Sequence, residues 1–140
     1  MKNLVVDASV AIKWFLPEIH SEAASFVLKF KYELWAPELI GAEVGNTLFK
    51  KARRREITNK EAEGIFKDFL RLPLQTHSSK ALLHSAWRLS HESGCSIYDA
   101  MYLALAISRN CDLVTADRKF YESQNKRPAS SRLVWVEDIK

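Results

Sequence analysis

Apolar positions in this chain fall into short runs rich in β-branched and aromatic residues, alternating with longer stretches in which they recur every three to four residues. This is the signature of strands alternating with helices. Leu4, Val5 and Val6 form the first run and end at Asp7, and Val10, Ile12, Trp14 and Phe15 follow at once in a helical pattern. A helix is expected over about residues 20–31, because Ala23, Ala24, Phe26, Val27, Leu28 and Phe30 recur near the helical period without Gly or Pro. Residues 34–36 read as a short buried strand stopped by Pro37. In 38–54 the residues Leu39, Ile40, Val44, Leu48 and Phe49 make one stripe, which predicts a helix in spite of Gly41 and Gly45. Those two glycines suit close packing against a neighbouring helix.

Thr58 or Asn59 is placed to cap a further amphipathic helix carrying Ala62, Ile65, Phe66, Phe69 and Leu70, which Pro73 terminates. Residues 74–77 read as a third strand and 80–92 as a helix, with Gly94 suited to its C-terminal cap. A helix over 98–109, a strand over 112–115, a helical turn over 118–123 and a fifth strand over 133–136 complete the pattern. Residues 124–132 carry no pattern that assigns them a structure or a role.

Strands alternating with helices imply parallel pairing through right-handed crossovers, with helices on both faces of a central sheet, so the expected class is α/β. The 140 residues have the length of one domain, taken as 1–140, and only four Gly and four Pro leave no long flexible linker. The first apolar run is too short for a signal peptide, and no stretch approaches the roughly 18 apolar residues of a membrane span, so the protein is expected in the cytosol. Cys95 and Cys111 lack the second pair that a zinc site or a disulfide framework needs, and both are expected reduced and structural. The net charge of +4 favours a polyanionic partner without requiring one.

Open parallel sheets bind ligands beyond the carboxyl ends of their strands. Asp7 ends the first strand and Asp117 lies two residues past Thr115 at the end of the fourth, so the topology brings both to one edge. Asp99 begins the helix after Gly94, and Glu43 sits in a helix whose other inward positions are mostly apolar. Each acid has a plainer reading. Asp7 and Asp117 suit N-caps, Ser96 with Asp99 suits a capping box, and Glu43 suits a flank of its apolar stripe. If Glu43 points inward, its desolvation requires a partner. Together, several carboxylates in one cleft repel one another unless a cation offsets them. An all-oxygen donor set without clustered His or Cys favours a hard ion, Mg²⁺ or Mn²⁺.

These residues resemble the PIN-domain nucleases, and among them the VapC-like toxins of prokaryotic toxin–antitoxin pairs. The resemblance spans nearly the whole chain. It rests on Val5-Val6-Asp7-Ala8-Ser9, on Glu43 with Asn46, on Gly94-Cys95-Ser96-Ile97-Tyr98-Asp99-Ala100 and on Thr115-Ala116-Asp117-Arg118-Lys119-Phe120. It implies a PIN-like fold with a five-stranded parallel sheet and an endoribonuclease site in which Asp7, Glu43, Asp99 and Asp117 hold Mg²⁺ or Mn²⁺. It further implies that Ser9 and Thr115 support the acids, that Asn46 lies close to the pocket, that the products carry 5′-phosphate and 3′-hydroxyl ends, and that the protein is a homodimer inhibited by a small antitoxin.

With no Ser, His and Asp arrangement evident, the simplest chemistry is attack on RNA phosphorus by metal-activated water, through one ion or two. Lys50, Arg53 and Arg54, within the basic run 50–55, and Arg118 and Lys119 are candidate RNA phosphate contacts. The same cations also suit a solvated helix end. His84 and His91 lie seven residues apart, too far along one helix to share an ion. Trp14, Phe15, Trp35, Trp87 and Trp135 read as core or dimer contacts, with Trp14, near Asp7, the one candidate for base stacking. Two rival readings stand beside the nuclease. One is a catalytically inactive RNA- or protein-binding module. The other is a phosphotransfer domain such as a response-regulator receiver or a haloacid-dehalogenase-like phosphatase, the latter fitting poorly because position 9 is Ser where its motif needs Asp.

Overall fold

The apolar run that opens the chain becomes β1 (Lys2–Val6), in which Leu4, Val5 and Val6 are each at most 1 % exposed. Successive strand residues point to opposite faces, so three consecutive buried side chains mean that the sheet is covered on both faces at β1. The computed structural model describes residues 2–29, 32–124, 127 and 131–139. In it β1 is the central strand, flanked by β2 (Tyr32–Pro37) and β4 (Asp112–Thr115), with β3 (Gln75–His77) and β5 (Leu133–Trp135) at the edges. All pairings are parallel, in the order β3-β2-β1-β4-β5. The α/β class expected from the alternating pattern is the observed one.

The helices follow the sequence pattern closely. They are α1 (Ala8–Ala11), continuing into a 3-10 turn over Ile12–Trp14, then α2 (Ser21–Lys29), α3 (Ile40–Arg53), α4 (Asn59–Leu70), α5 (Ser79–Ser93), α6 (Ile97–Ser108) and α7 (Arg118–Ser123). The expected extension of α2 through Phe30 to Lys31 lies outside the described residues. Thr58 caps α4 in a full capping box with Glu61, and Gly94 ends α5 in the left-handed conformation at φ 76°. Seven successive residues of α6, Ala100 to Ala106, are buried. A helix apolar all round belongs in the interior, and α6 packs on α5 and against β1, β2 and β4. Among the described residues no helix is long and apolar enough to cross a membrane. Cys95 and Cys111 are free thiols.

Some details differ from the pattern. Pro37 is the last residue of β2, paired with His77, rather than the first beyond the strand. Phe49 is 60 % exposed, although it was expected on the inward stripe of α3. Adjacent helical residues point about 100° apart, and Leu48, 2 % exposed, takes the inward direction. Of the two roles expected for Trp87, core or dimer contact, its 60 % exposure beside buried Ala86 excludes the core. The two α3 glycines also separate. A Cβ on Gly45 would stand 3.3 Å from the Phe66 ring of α4, so this glycine does permit close packing, whereas Gly41 faces open space.

Candidate active site

The strand order reverses direction on either side of β1, so the connections leaving β1 and β4 diverge and leave a crevice at the carboxyl ends of these strands. Asp7 and Asp117 leave the sheet at that crevice. Both do cap helices: Asp7 Oδ1 accepts from the Val10 amide of α1 at 3.2 Å, and Asp117 Oδ1 from the Phe120 amide of α7 at 3.1 Å. The plainer reading of these two acids therefore holds locally.

Capping does not exhaust Asp7. It is 7 % exposed, and its two oxygens take hydroxyl hydrogen bonds from Ser9 and from Thr115, each at 2.5 Å. Those hydroxyls are themselves oriented by the backbone: Ser9 Oγ accepts from the Ala116 amide at 2.9 Å and Thr115 Oγ1 from the Asp117 amide at 3.1 Å. Each hydroxyl thus receives a backbone proton and offers its own to Asp7, tying the end of β1 to the end of β4. Burial nevertheless pushes the Asp7 carboxyl up to about 6, the three hydrogen bonds offset this only in part, and the Asp99 charge adds to it.

Asp99 stands on the first turn of α6, where its amide donates to the capping hydroxyl of Ser96 at 3.1 Å. Burial, then the charges of Asp117 and Glu43, push its carboxyl to about 6, with Ser96 opposing. Glu43 is half-buried on α3, and its Oε1 accepts from the Tyr102 hydroxyl at 2.6 Å. Burial raises its pKa against that bond. Tyr102, 2 % exposed, is a site residue that the sequence reading passed over. A usable signal existed, because it lies one helical turn beyond Asp99 and a buried tyrosine hydroxyl needs a partner. Burial and then the charges of Glu43, Asp7 and Asp99 hold that hydroxyl protonated far above the usual tyrosine range.

The four predicted acids therefore meet electrostatically, with Asp99 at the middle of the group. Ion pairs among the described residues involve other carboxylates, such as Glu18 with Lys13 and Lys51, and none neutralises these four. Among the described residues no three Asp, Glu, His or Cys side chains are already drawn together as a metal cage. Mg²⁺ does not demand one, since it is ordinarily held by one or two carboxylates and keeps several waters. The donor chemistry fits such an ion: all oxygen, uncompensated and partly withdrawn from solvent.

The remaining predicted residues scatter. Asn46 is exposed one turn beyond Glu43 on α3, and Lys50, Arg53 and Arg54 are exposed toward the end of that helix. Lys119 is exposed, while the Arg118 guanidinium lies 3.9 Å over the Trp135 ring. Trp14 is no free platform, because its indole N–H donates to the Ala24 carbonyl at 2.9 Å and its ring packs on the core. His84 and His91 are surface residues.

Comparison with known proteins shows the family and the fold. A family model described as PIN domain matches residues 4–126. The chain is 36 % identical to Ribonuclease VapC3 of Pyrobaculum aerophilum over 122 residues, covering 86 % of this chain and 93 % of that protein. It superposes on the crystal structure of PAE2754 from the same organism with a TM-score of 0.71 at 25 % identity, over 97 % of this chain and 85 % of that one. A toxin–antitoxin complex from Klebsiella pneumoniae shares the fold with a TM-score of 0.67 at 14 % identity, over 97 % of this chain and 99 % of that one.

Proposed function

Because the chain belongs to the PIN-domain family, among its VapC-like ribonucleases, we propose that it is a divalent-metal-dependent endoribonuclease acting as the toxin of a toxin–antitoxin pair. The observation that carries the reading is Asp99, whose charge meets those of Asp7, Glu43 and Asp117, in a set of carboxylates unmatched by any basic side chain among the described residues. Asp7, Glu43, Asp99 and Asp117 would hold Mg²⁺ or Mn²⁺. When bound, such an ion supplies Lewis acidity toward an RNA phosphate and makes a water nucleophilic near neutral pH.

The chain's own part is to keep its acids charged and placed. Ser9 and Thr115 fix both oxygens of Asp7, Tyr102 fixes Glu43, and exposed Asp117 stands at the mouth. Asn46, one turn along α3 from Glu43, lies beside the path an RNA strand would take to the acids. Lys50, Arg53, Arg54, Arg118 and Lys119 supply positive charge for the phosphates that follow. In a binding module without catalysis, capping would account for Asp117, and capping together with the Ser9 and Thr115 bonds for Asp7. It gives no reason for a half-buried Glu43 beside Asp99.

The toxin–antitoxin complex among the structural neighbours supports a small antitoxin as partner, and exposed Phe49, Leu83 and Trp87 supply apolar surface for a second copy of the chain. The cytoplasm, where its RNA substrate is found, is the proposed location. The test is to incubate purified protein with RNA and Mn²⁺ beside a chelator control and to map the ends. Cleavage leaving 5′-phosphate and 3′-hydroxyl ends, lost on chelation and reduced at least ~100-fold in Asp99→Asn, is the expected outcome. Undiminished cleavage in chelator would sink the metal reading.

A further inference from the structure

The stretch that follows α7 carries an unexplained buried amide. Gln124 is 1 % exposed, and its side-chain N–H group donates to the Ser93 carbonyl at 3.3 Å and to Ser123 Oγ at 3.2 Å. A carbonyl can only accept, so the amide orientation is fixed with nitrogen toward Ser93. Its oxygen is left buried without a hydrogen-bond partner. Apolar packing would be served better by Leu or Met, and the retained amide points to the bond it makes.

That bond joins two halves of the acidic site. The Ser93 carbonyl is among the last of α5, which have no partner inside their own helix. One residue on, Gly94 turns the chain, and Ser96 then caps α6 and receives the Asp99 amide. At the other end, Gln124 closes α7, a helix of six residues whose N-cap is Asp117. So short a helix is not stable alone and takes its position from what it touches. Its buried residue Phe120 seats it on the core, and Gln124 fastens its far end to the turn leading to Asp99. Arg127 adds a second tie, donating to the Glu92 carbonyl at 3.3 Å.

We propose that Gln124 is a positioning residue that latches the helix begun by Asp117 to the turn that delivers Asp99, holding two mutually repelling carboxylates close enough to share one divalent ion. The latch rests on the metal-nuclease reading and adds to it the residue that sets the spacing of two of the acids. Outer residues that orient metal ligands are typically worth 10- to 100-fold in metal affinity.

The test is Mn²⁺ binding to RNA-free protein by calorimetry, wild type beside Gln124→Met, which fills the same volume without a donor. The latch predicts a Kd raised by about tenfold or more. It also predicts that cleavage by Gln124→Met approaches the wild-type rate at saturating Mn²⁺, a rescue that mere loss of packing does not produce. A Kd within about twofold of wild type in a folded Gln124→Met protein overturns the latch while leaving the metal reading intact. Wild-type protein that binds no Mn²⁺ overturns both. If Gln124→Met does not fold, Arg127→Ala, which alters an exposed side chain on the adjacent carbonyl, is expected to weaken Mn²⁺ binding several-fold, and an unchanged Kd there overturns the latch.

Discussion

Asp7 shows how one side chain serves both fold and site. Its carboxylate caps α1, accepts two hydroxyl bonds and still has its pKa lifted to about 6 by burial. The sign of the consequence follows from linkage. A carboxyl whose folded pKa lies above its unfolded value of 3.8 binds protons more tightly when folded. Its stabilising contribution is then fully present below pH 3.8 and lost as pH rises to about 6. Asp99 behaves likewise, lifted to about 6. In chelator, the metal-free protein is therefore expected to melt at higher temperature near pH 5 than near pH 7.5. One pKa unit corresponds to about 1.4 kcal/mol, and by pH 5 roughly half of the Asp7 contribution is already lost, so Asp7 alone gives an effect of about 1.4 kcal/mol between pH 5 and 7.5. Thermal unfolding followed by circular dichroism reads it, and a melting temperature that climbs steadily with pH through this range would contradict the burial of these acids. Among the described residues, Tyr102 is the side-chain hydrogen-bond partner of Glu43. Tyr102→Phe removes it, and urea unfolding should show a loss of about 1.5–3 kcal/mol, the usual worth of a hydrogen bond to a charged group, with weaker Mn²⁺ binding beside it. A Tyr102→Phe protein as stable as wild type would mean that the bond is not kept in solution.

At the scale of elements, the turn between α5 and α6 decides where Asp99 stands. Gly94 adopts φ 76°, and among the described residues a Cβ there would meet only Arg127, at 3.9 Å, so a side chain fits in space but not in backbone conformation. Gly94→Ala should therefore cost about 1–2 kcal/mol in urea unfolding, whereas Gly41→Ala, inside a helix and facing open space, should stabilise by up to about 1 kcal/mol. Equal effects at the two positions would refute the conformational argument. The elements themselves were largely legible in the sequence, because their signals are local. The strand over Asp112–Thr115 and the helix over Arg118–Ser123 occur where the alternating pattern put them, and Thr58 caps α4 as its residue type suggests. What was not legible depends on partners remote in the chain. Tyr102 meets Glu43 across 59 residues and Gln124 meets Ser93 across 31, and no periodicity reports such pairs. The outward turn of Phe49 was missed for a related reason: an apolar residue beside a better-buried neighbour satisfies a stripe on paper while pointing about 100° away from it.

Over the whole molecule, an all-parallel sheet with β1 at its centre brings together acids from positions 7, 43, 99 and 117. The topology explains why the convergence could be anticipated: Asp7 and Asp117 follow neighbouring strands that pair Val6 with Val114. Asp99 arrives on α6, which packs against these strands, and Glu43 on α3, which packs against α1 and α4. The central claim is that this gathering of negative charge is completed by a divalent cation. The most direct measurement is the shift in melting temperature on adding Mn²⁺ at pH 7.5 to wild-type protein, to Asp99→Asn and to Glu43→Gln. An ion that binds only the folded state stabilises it, by about 2.7 kcal/mol at one hundred times its Kd. The account predicts that wild type gains stability with Mn²⁺, while each variant starts more stable than metal-free wild type, because a repelling charge is gone, and gains little. A wild-type melting temperature that Mn²⁺ leaves unmoved, or variants that gain as much as wild type, would contradict it.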